Sequence, residues 1–263
     1  MQDLKITIVQ SDLHWEQTTK NLKILHEKLH PLVNAQDIVV LPEMFSTGFT
    51  MNVEKYAENM SGRLLSWVKE TSASLKSVIT GSFIYKSDGL FYNRLIWMQP
   101  DGNFKTYDKR HLFRFGEEDK YFSPGKEKII CSHNDWNICP MICYDLRFPV
   151  WAKNIYENES FQYDVLIYIA NWPAARKHHW QTLLKARAIE NLSYVVGVNR
   201  VGVDGRGIKY SGNSIVVSPK GEMLCEIDDN AQQIQTITLS KSELVKYREK
   251  FNVGRDWDEF QIQ

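Results

Sequence analysis

Three residues of the types that break acyl bonds stand at the ends of strand-like runs. Glu43 closes Asp37-Ile-Val-Val-Leu-Pro-Glu43, Lys109 closes Phe104-Lys-Thr-Tyr-Asp-Lys109, and Cys143 closes Trp136-Asn-Ile-Cys-Pro-Met-Ile-Cys143. Strand ends project side chains into the crevice beyond a sheet, where a rigid scaffold can hold them. A carboxylate, an ammonium and a thiol meeting there would make a base, an oxyanion clamp and a nucleophile. Singly, each has a blander reading. Cys143 could be a core thiol, Glu43 a loop carboxylate and Lys109 one charge of a solvated turn.

The elements that would bring them together follow from apolar alternation. Strands are expected at Leu4–Gln10, Ile38–Leu41, Ser77–Ile84, Arg94–Gln99 and Asn103–Tyr107. The stripe Leu22, Leu25, Leu29, Leu32 marks a helix between the first two, and Leu64, Leu65, Val68, Leu75 a second. The order then repeats: strand Ile138–Cys143, helix Val150–Tyr156, strand Val165–Ala170, helix Trp180–Asn191. Strands Tyr194–Asn199, Ser214–Val217, Met223–Ile227 and Ile234–Leu239 follow. Both halves contain a hairpin with a similar turn, Gln99-Pro-Asp-Gly-Asn103 and Ser218-Pro-Lys-Gly-Glu222. Two related β-α-β-α-β-β halves, face to face, give an α/β four-layer α-β-β-α sandwich with an internal pseudo-two-fold. No linker composition separates them, so residues 1–263 read as one domain. Ser240-Lys-Ser-Glu243 reads as a capping box opening a last helix to about Phe251. The tail 252–263 is expected to dock through Trp257 and Phe260, on the domain or on a dimer partner.

The bulk numbers exclude several classes. Formal net charge is zero, which argues against a general nucleic-acid binder. No apolar run approaches a bilayer span, and no secretory signal is read at the start. Four cysteines in a chain of 263 residues suggest reduced cytosolic thiols. Cys131 and Cys139 flank a hairpin turn at Asn134-Asp135 and read as core thiols. There is no G-x-S-x-G elbow, Walker loop or Rossmann fingerprint. Gly202-Val-Asp-Gly-Arg-Gly207 has the wrong glycine spacing and reads as a flexible hairpin loop near the site mouth. One rival remains: His26-Glu27-Lys28-Leu29-His30 fits the H-E-x-x-H zinc pattern, which would make a zinc peptidase. Against it, Leu22, Leu25 and Leu29 claim the adjacent stripe, Pro31 stops the helix, and no third ligand is evident. Neither metal nor cofactor is expected.

Taken together, Leu41-Pro-Glu43, Tyr107-Asp-Lys-Arg-His-Leu-Phe113, Cys143-Tyr-Asp-Leu-Arg-Phe-Pro149 and Ala186-Arg-Ala-Ile-Glu-Asn191 resemble the nitrilase, or carbon–nitrogen hydrolase, superfamily. The resemblance covers nearly the whole chain and implies the same sandwich fold, assembled as homodimers or larger homo-oligomers. It implies catalysis by Glu43, Lys109 and Cys143, with the Tyr144 backbone N–H at the oxyanion. A second glutamate matches Glu118, with Glu117 beside it as the alternative. The stretches Leu-Pro-Glu-Met-Phe-Ser-Thr-Gly-Phe49 and Ala-Asn-Trp-Pro173 look most like the omega-amidase branch, whose members hydrolyse the terminal amide of 2-oxo acids such as 2-oxoglutaramate. These can partner glutamine transaminases, including in methionine salvage. Such a substrate needs a cation for its distal carboxylate. Arg176 is the first candidate, with Lys177 and Arg147 behind it. Phe45, Phe113 and Trp172 could wall an apolar slot, although core packing explains them nearly as well. His179-Trp180 also matches the family pattern. Other amides, carbamoyl-amines and nitriles remain alternatives, as does a non-enzymatic binding member of the fold.

Overall fold

The computed structural model describes residues 1–262. The first half runs β1 (Leu4–Gln10), α1 (Thr18–Leu29), β2 (Ile38–Val40), α2 (Val53–Tyr56), α3 (Arg63–Leu75), β3 (Val78–Ser87), β4 (Leu90–Met98) and β5 (Phe104–Asp108). The second begins with β6 (Cys131–His133), β7 (Trp136–Ile142), α4 (Pro149–Ala152), a small ribbon β8 (Tyr156–Glu157) and β9 (Ser160–Phe161), then β10 (Val165–Ala170) and α5 (Lys177–Asn191). It continues through β11 (Tyr194–Asn199), the hairpin β12 (Val201–Val203) and β13 (Lys209–Ser211), and β14 (Ile215–Val217). β15 (Met223–Glu226), β16 (Gln233–Leu239) and α6 (Lys241–Lys250) complete it.

Two six-stranded sheets form, ordered β16-β1-β2-β3-β4-β5 and β6-β7-β10-β11-β14-β15. In each, three inner strands are parallel, and antiparallel strands flank them. The two orders match strand for strand, which is the pseudo-two-fold. Period-two alternation sorts the side chains. Ile6, Ile8, Ile38 and Val40 point between the sheets and join Ile138, Val165 and Val196 in one core, while on the other face of β11 Gly197 meets Leu184 and Trp180 of α5. Val9, Val39 and Ile79 point the other way, onto Leu22, Leu25, Leu64 and Val68 of α1 and α3. Each sheet is therefore covered on both faces, as an α-β-β-α sandwich requires. Among the described residues, no helix is long and apolar enough to cross a membrane.

Three expectations need correction. Residues 150–156 are not one helix: α4 is a single turn, because Asn154 is pulled out of it. Its backbone N–H donates to Asn191 Oδ1 at 2.8 Å, and its Nδ2 donates to the Tyr163 carbonyl at 2.9 Å. The strand at 234–239 belongs to the first sheet, where β16 pairs antiparallel with β1 from Leu4↔Leu239 to Gln10↔Gln233. The capping box at Ser240 does not form. The Ser240 hydroxyl meets Ser242 Oγ at 3.1 Å, and the Lys241 N–H donates instead to Asp3 Oδ1 at 3.2 Å. In the tail, Trp257 stands edge-on to Phe161 with Lys153 Nζ 3.6 Å from its ring centre, while Phe260 stays exposed; residue 263 lies outside the described residues.

Candidate active site

Each candidate side chain sits in a turn or at the exit of a strand and is fixed by its neighbours. Glu43 sits not on β2 but on the turn beyond it. That turn is bound to β3 through Leu41 N–H to the Thr80 carbonyl (2.8 Å), Met44 N–H to Ser82 Oγ (2.9 Å) and Phe45 N–H to the Ser82 carbonyl (3.2 Å). The approach requires Gly81, since a Cβ there would stand 2.8 Å from the Phe45 ring and 2.9 Å from Leu41. Lys109 follows β5 directly, and its N–H donates to the Asn93 carbonyl at 3.0 Å. Glu118 opens a short 3-10 turn and accepts the Phe113 N–H at 2.6 Å.

These parts converge in full burial. Lys109 Nζ lies 2.8 Å from Glu43 Oε1 and 2.8 Å from Glu118 Oε2. Asn93 Nδ2 bridges the same two carboxylates, at 2.8 Å and 3.1 Å. The other oxygen of Glu43 accepts the Asn171 N–H at 2.8 Å. Glu117 points outward to Lys120, so Glu118 is the second glutamate of the cluster. Burial alone would lower the Lys109 pKa, but the charges of Glu118 and then Glu43 outweigh it and hold the ammonium well above its ordinary value. Glu118 is raised, by burial first, against the pull of Lys109.

Cys143 begins a 3-10 turn, Cys143–Arg147, with φ +45°, a left-handed conformation uncommon for a side-chain-bearing residue. Asp145 holds that turn. Its Oδ2 accepts the Ile142 N–H (3.0 Å) and the Tyr107 hydroxyl (2.7 Å), and its Oδ1 accepts the His111 N–H (3.0 Å). From the other side, Arg187 of α5 donates to the Leu146 carbonyl at 2.7 Å. Burial, then the Glu43 charge, push the Cys143 thiol well above its ordinary pKa, with Lys109 pulling the other way. The resting sulfur is therefore a neutral thiol facing a carboxylate that can take its proton.

Cys143 and Lys109 share a cavity of about 250 Å³. Tyr144, Phe113, Trp172, Arg147 and Arg176 also line it. The Arg147 guanidinium lies 4.8 Å from the Trp172 ring centre, and that of Arg176 lies 5.5 Å from Phe113. Phe45 does not line it. Its ring is fully buried on the far side of the turn, 5.8 Å from Trp67 in the core under α3, so it cannot wall a substrate slot. Lys177 is engaged elsewhere, in an ion pair with Asp229 at 2.6 Å. His26 and His30 are exposed on α1 and the turn after it, Glu27 faces Lys23, and no metal-ligand grouping occurs among the described residues. Sequence reading did not single out Asn93, Asp145, Phe49, Ile208 or Tyr210; it placed the Gly202–Gly207 loop near the site mouth, where Arg206 does line the cavity, but that loop is tied down by Asp204 rather than flexible. Asn93 had one signal, a polar residue at a buried position of the apolar strand β4. Asp145 stood within a motif already singled out.

A four-layer sandwich with a buried carboxylate–ammonium–carboxylate cluster beside a strained cysteine defines a class, the thiol-dependent hydrolases of carbon–nitrogen bonds. The carbon-nitrogen hydrolase family model matches residues 5–249, and the chain belongs to that family. It is 40% identical over 263 residues to an omega-amidase of Escherichia coli (strain K12), covering 100% of both chains. It is 30% identical over 224 residues to a 2-oxoglutaramate amidase of Bacillus subtilis (strain 168), covering 84% of this chain and 85% of that one. A crystal structure of a CN-hydrolase superfamily protein from Xanthomonas campestris, with an arsenic adduct in its active site, matches with a TM-score of 0.97 at 40% identity over 100% of both chains.

Proposed function

We propose that this protein is an omega-amidase. It cleaves the terminal amide of a small omega-amido 2-oxo acid, of the 2-oxoglutaramate type, to the carboxylic acid and ammonia through a thioester on Cys143. The observation that carries the reading is the Lys109 ammonium held 2.8 Å from both Glu43 and Glu118 beside the thiol, under a rim of arginines. The similarity to omega-amidases along the full chain supports the substrate class.

The thiol is neutral at rest, so attack and proton transfer go together. Glu43 takes the thiol proton as sulfur bonds to the amide carbon. Negative charge grows on the carbonyl oxygen, between Lys109 Nζ and the Tyr144 N–H. Lys109 stays an ammonium throughout, because its pKa is held high, so it serves as charge and not as proton source. The intermediate collapses with loss of the C–N bond, and Glu43 gives its proton to the departing nitrogen, which leaves as ammonia. Water then attacks the thioester, Glu43 accepts its proton, the C–S bond breaks, and the proton returns to sulfur. Glu118 and Asn93 hold Lys109 and Glu43 in place. Arg147 and Arg176 pair the distal carboxylate, while Phe113 and Trp172 enclose the short carbon chain.

The chain acts as a single domain over residues 1–263, as a homodimer in the cytosol, without nucleic acid. The free thiols and the exposed apolar Phe260 and Ile262 of the tail support this. Ammonia release tests the reading across omega-amides of 2-oxo acids, glutamine, carbamoyl-amines and aliphatic nitriles. The 2-oxo acid amides are expected to dominate kcat/KM. Cys143→Ala is expected to lose at least about a thousandfold in kcat. Equal rates on glutamine and its 2-oxo analogue would overturn the substrate assignment, and an active Cys143→Ala would overturn the chemistry.

A further inference from the structure

Three guanidinium groups line the cavity, and they are not equivalent. Arg147 donates to His179 Nδ1 at 3.1 Å and lies over Trp172. Arg176 lies over Phe113 and Phe115, at 5.5 and 5.9 Å. Arg206 comes from a different element, the turn between β12 and β13, and is exposed. Among the described residues its side chain has no hydrogen bond and no ion pair; only its backbone N–H is engaged, by Asp204 Oδ1 at 2.9 Å.

The turn that carries it is firmly built. Asp204 Oδ1 also accepts the Ile208 N–H at 2.9 Å, and Asp204 Oδ2 accepts the Tyr210 hydroxyl at 2.9 Å. Gly205 lies so close to Trp15 that a Cβ would come within 2.3 Å of the indole. At the base of the hairpin, Val201 N–H donates to the Ser11 carbonyl (3.1 Å), and the buried Arg200 bonds Asp12 (2.8 Å) and the Leu13 carbonyl (3.0 Å). Ile208 and Tyr210 of this hairpin line the cavity too. The backbone of Arg206 is thus fixed at the mouth while its charge is free. The acid nearest in effect, Glu117, gives its carboxylate to Lys120 at 2.6 Å. Lys120 first, and Arg206 as the last and smallest of the causes, lower the Glu117 pKa.

We infer that Arg206 is a specificity-determining residue of the amidase reaction: it is the outermost cation of the rim and selects amides bearing a distal carboxylate over neutral amides. The inference rests on the proposed function. A protein of zero net charge has no general attraction for anions, so local cations must supply the steering. The fixed turn spares the backbone any ordering cost on binding, and the unpaired guanidinium, although it gives up rotamer freedom, matches a carboxylate in a bidentate way.

The test compares a 2-oxo acid omega-amide with a neutral aliphatic amide of the same length, in wild type, Arg206→Gln, Arg206→Lys and Arg206→Glu. Arg206→Gln is expected to lower the anionic-over-neutral ratio of kcat/KM about twofold to fivefold, as one solvent-facing charge pair would, through KM for the anion. It is also expected to flatten the salt dependence of that ratio. Arg206→Lys should keep most of the ratio, and Arg206→Glu should lower it further. An unchanged ratio in Arg206→Gln, or a fall confined to kcat, overturns the inference while leaving the amidase assignment standing. A wild-type enzyme with no preference for the anion overturns the inference together with the 2-oxo acid substrate assignment, and leaves the amidase chemistry standing.

Discussion

Asn93 is the side chain on which both carboxylates of the cleft depend. Its amide nitrogen donates to Glu43 Oε1 and Glu118 Oε1 at once, on the same side of the cluster as Lys109 Nζ. Removing it leaves Glu43 Oε1 and Glu118 Oε1 with Lys109 Nζ as their one remaining donor, and a buried carboxylate oxygen that loses one of its two donors is held less firmly. Asn93→Leu is therefore expected to lower kcat by about ten- to a hundredfold with little change in KM, measured by steady-state ammonia release. A change in KM alone would remove Asn93 from this role. At this scale the sequence was legible where side-chain chemistry is unusual for its context. Glu43 after an apolar run, Lys109 and Cys143 could be singled out, and they do stand together. Glu118 could be told from Glu117 only by direction: one faces Lys109 and the other Lys120. Phe45 could not be read at all, because one residue of turn geometry decides which side of the backbone an aromatic ring occupies.

Among the elements, the turn after β7 carries Cys143 and is held from two sides. Asp145 gathers donors from the turn itself and from Tyr107 and His111, while Arg187 reaches in from α5 to the Leu146 carbonyl. The positive φ of Cys143 persists only because these bonds over-determine it. Asp145→Ala orphans the Tyr107 hydroxyl and the Ile142 N–H in a dry interior. It is expected to cost about 2–4 kcal/mol of stability and more than about tenfold in kcat, read by denaturant unfolding and by rate. A variant with native stability and rate would refute the bracing role. The long sheet strands were legible to within a few residues, since a strand buried on both faces reads as a short, β-branched apolar run bounded by turn residues, whereas the short ribbons β8–β9 and β12–β13 lack such a run and were not read. The helix expected at 150–156 was not, because its apolar residues satisfy the helical period while Asn154 is claimed by Asn191 and Tyr163 from distant segments. No local pattern encodes such bonds.

For the molecule as a whole, the interior holds many groups that must not ionise. Burial pushes Cys131 and Cys139 up to about 12, and it holds Cys143, Tyr107, Tyr163 and Tyr168 well above their ordinary values. In the unfolded chain thiols lose protons near pH 8.5 and phenols near pH 10, while the folded chain keeps them. The unfolded state then binds fewer protons, so stability falls as pH rises, by up to about 1.4 kcal/mol per pH unit for each group in its window. Lys109, raised in the folded state, adds loss of the same sign above about pH 10.4. Stability is expected to be flat in this respect below about pH 8.5 and to drop steeply from there toward pH 12, measured as Tm in a series of alkaline buffers. A Tm unchanged at pH 11 would show that these groups are not shielded. The paired halves were visible in the repeat of elements, but the return of β16 to β1 was not, because pairing across the length of a chain leaves no local trace. That pairing also sets a timetable. β1 is made well before β16, one of its two partners, so the first sheet stays open on one side until Gln233–Leu239 has been synthesised. A nascent chain short of Gln233 carries Glu43, Lys109 and Cys143 without the edge strand of the sheet that positions the first two, so the cleft they form must await β16.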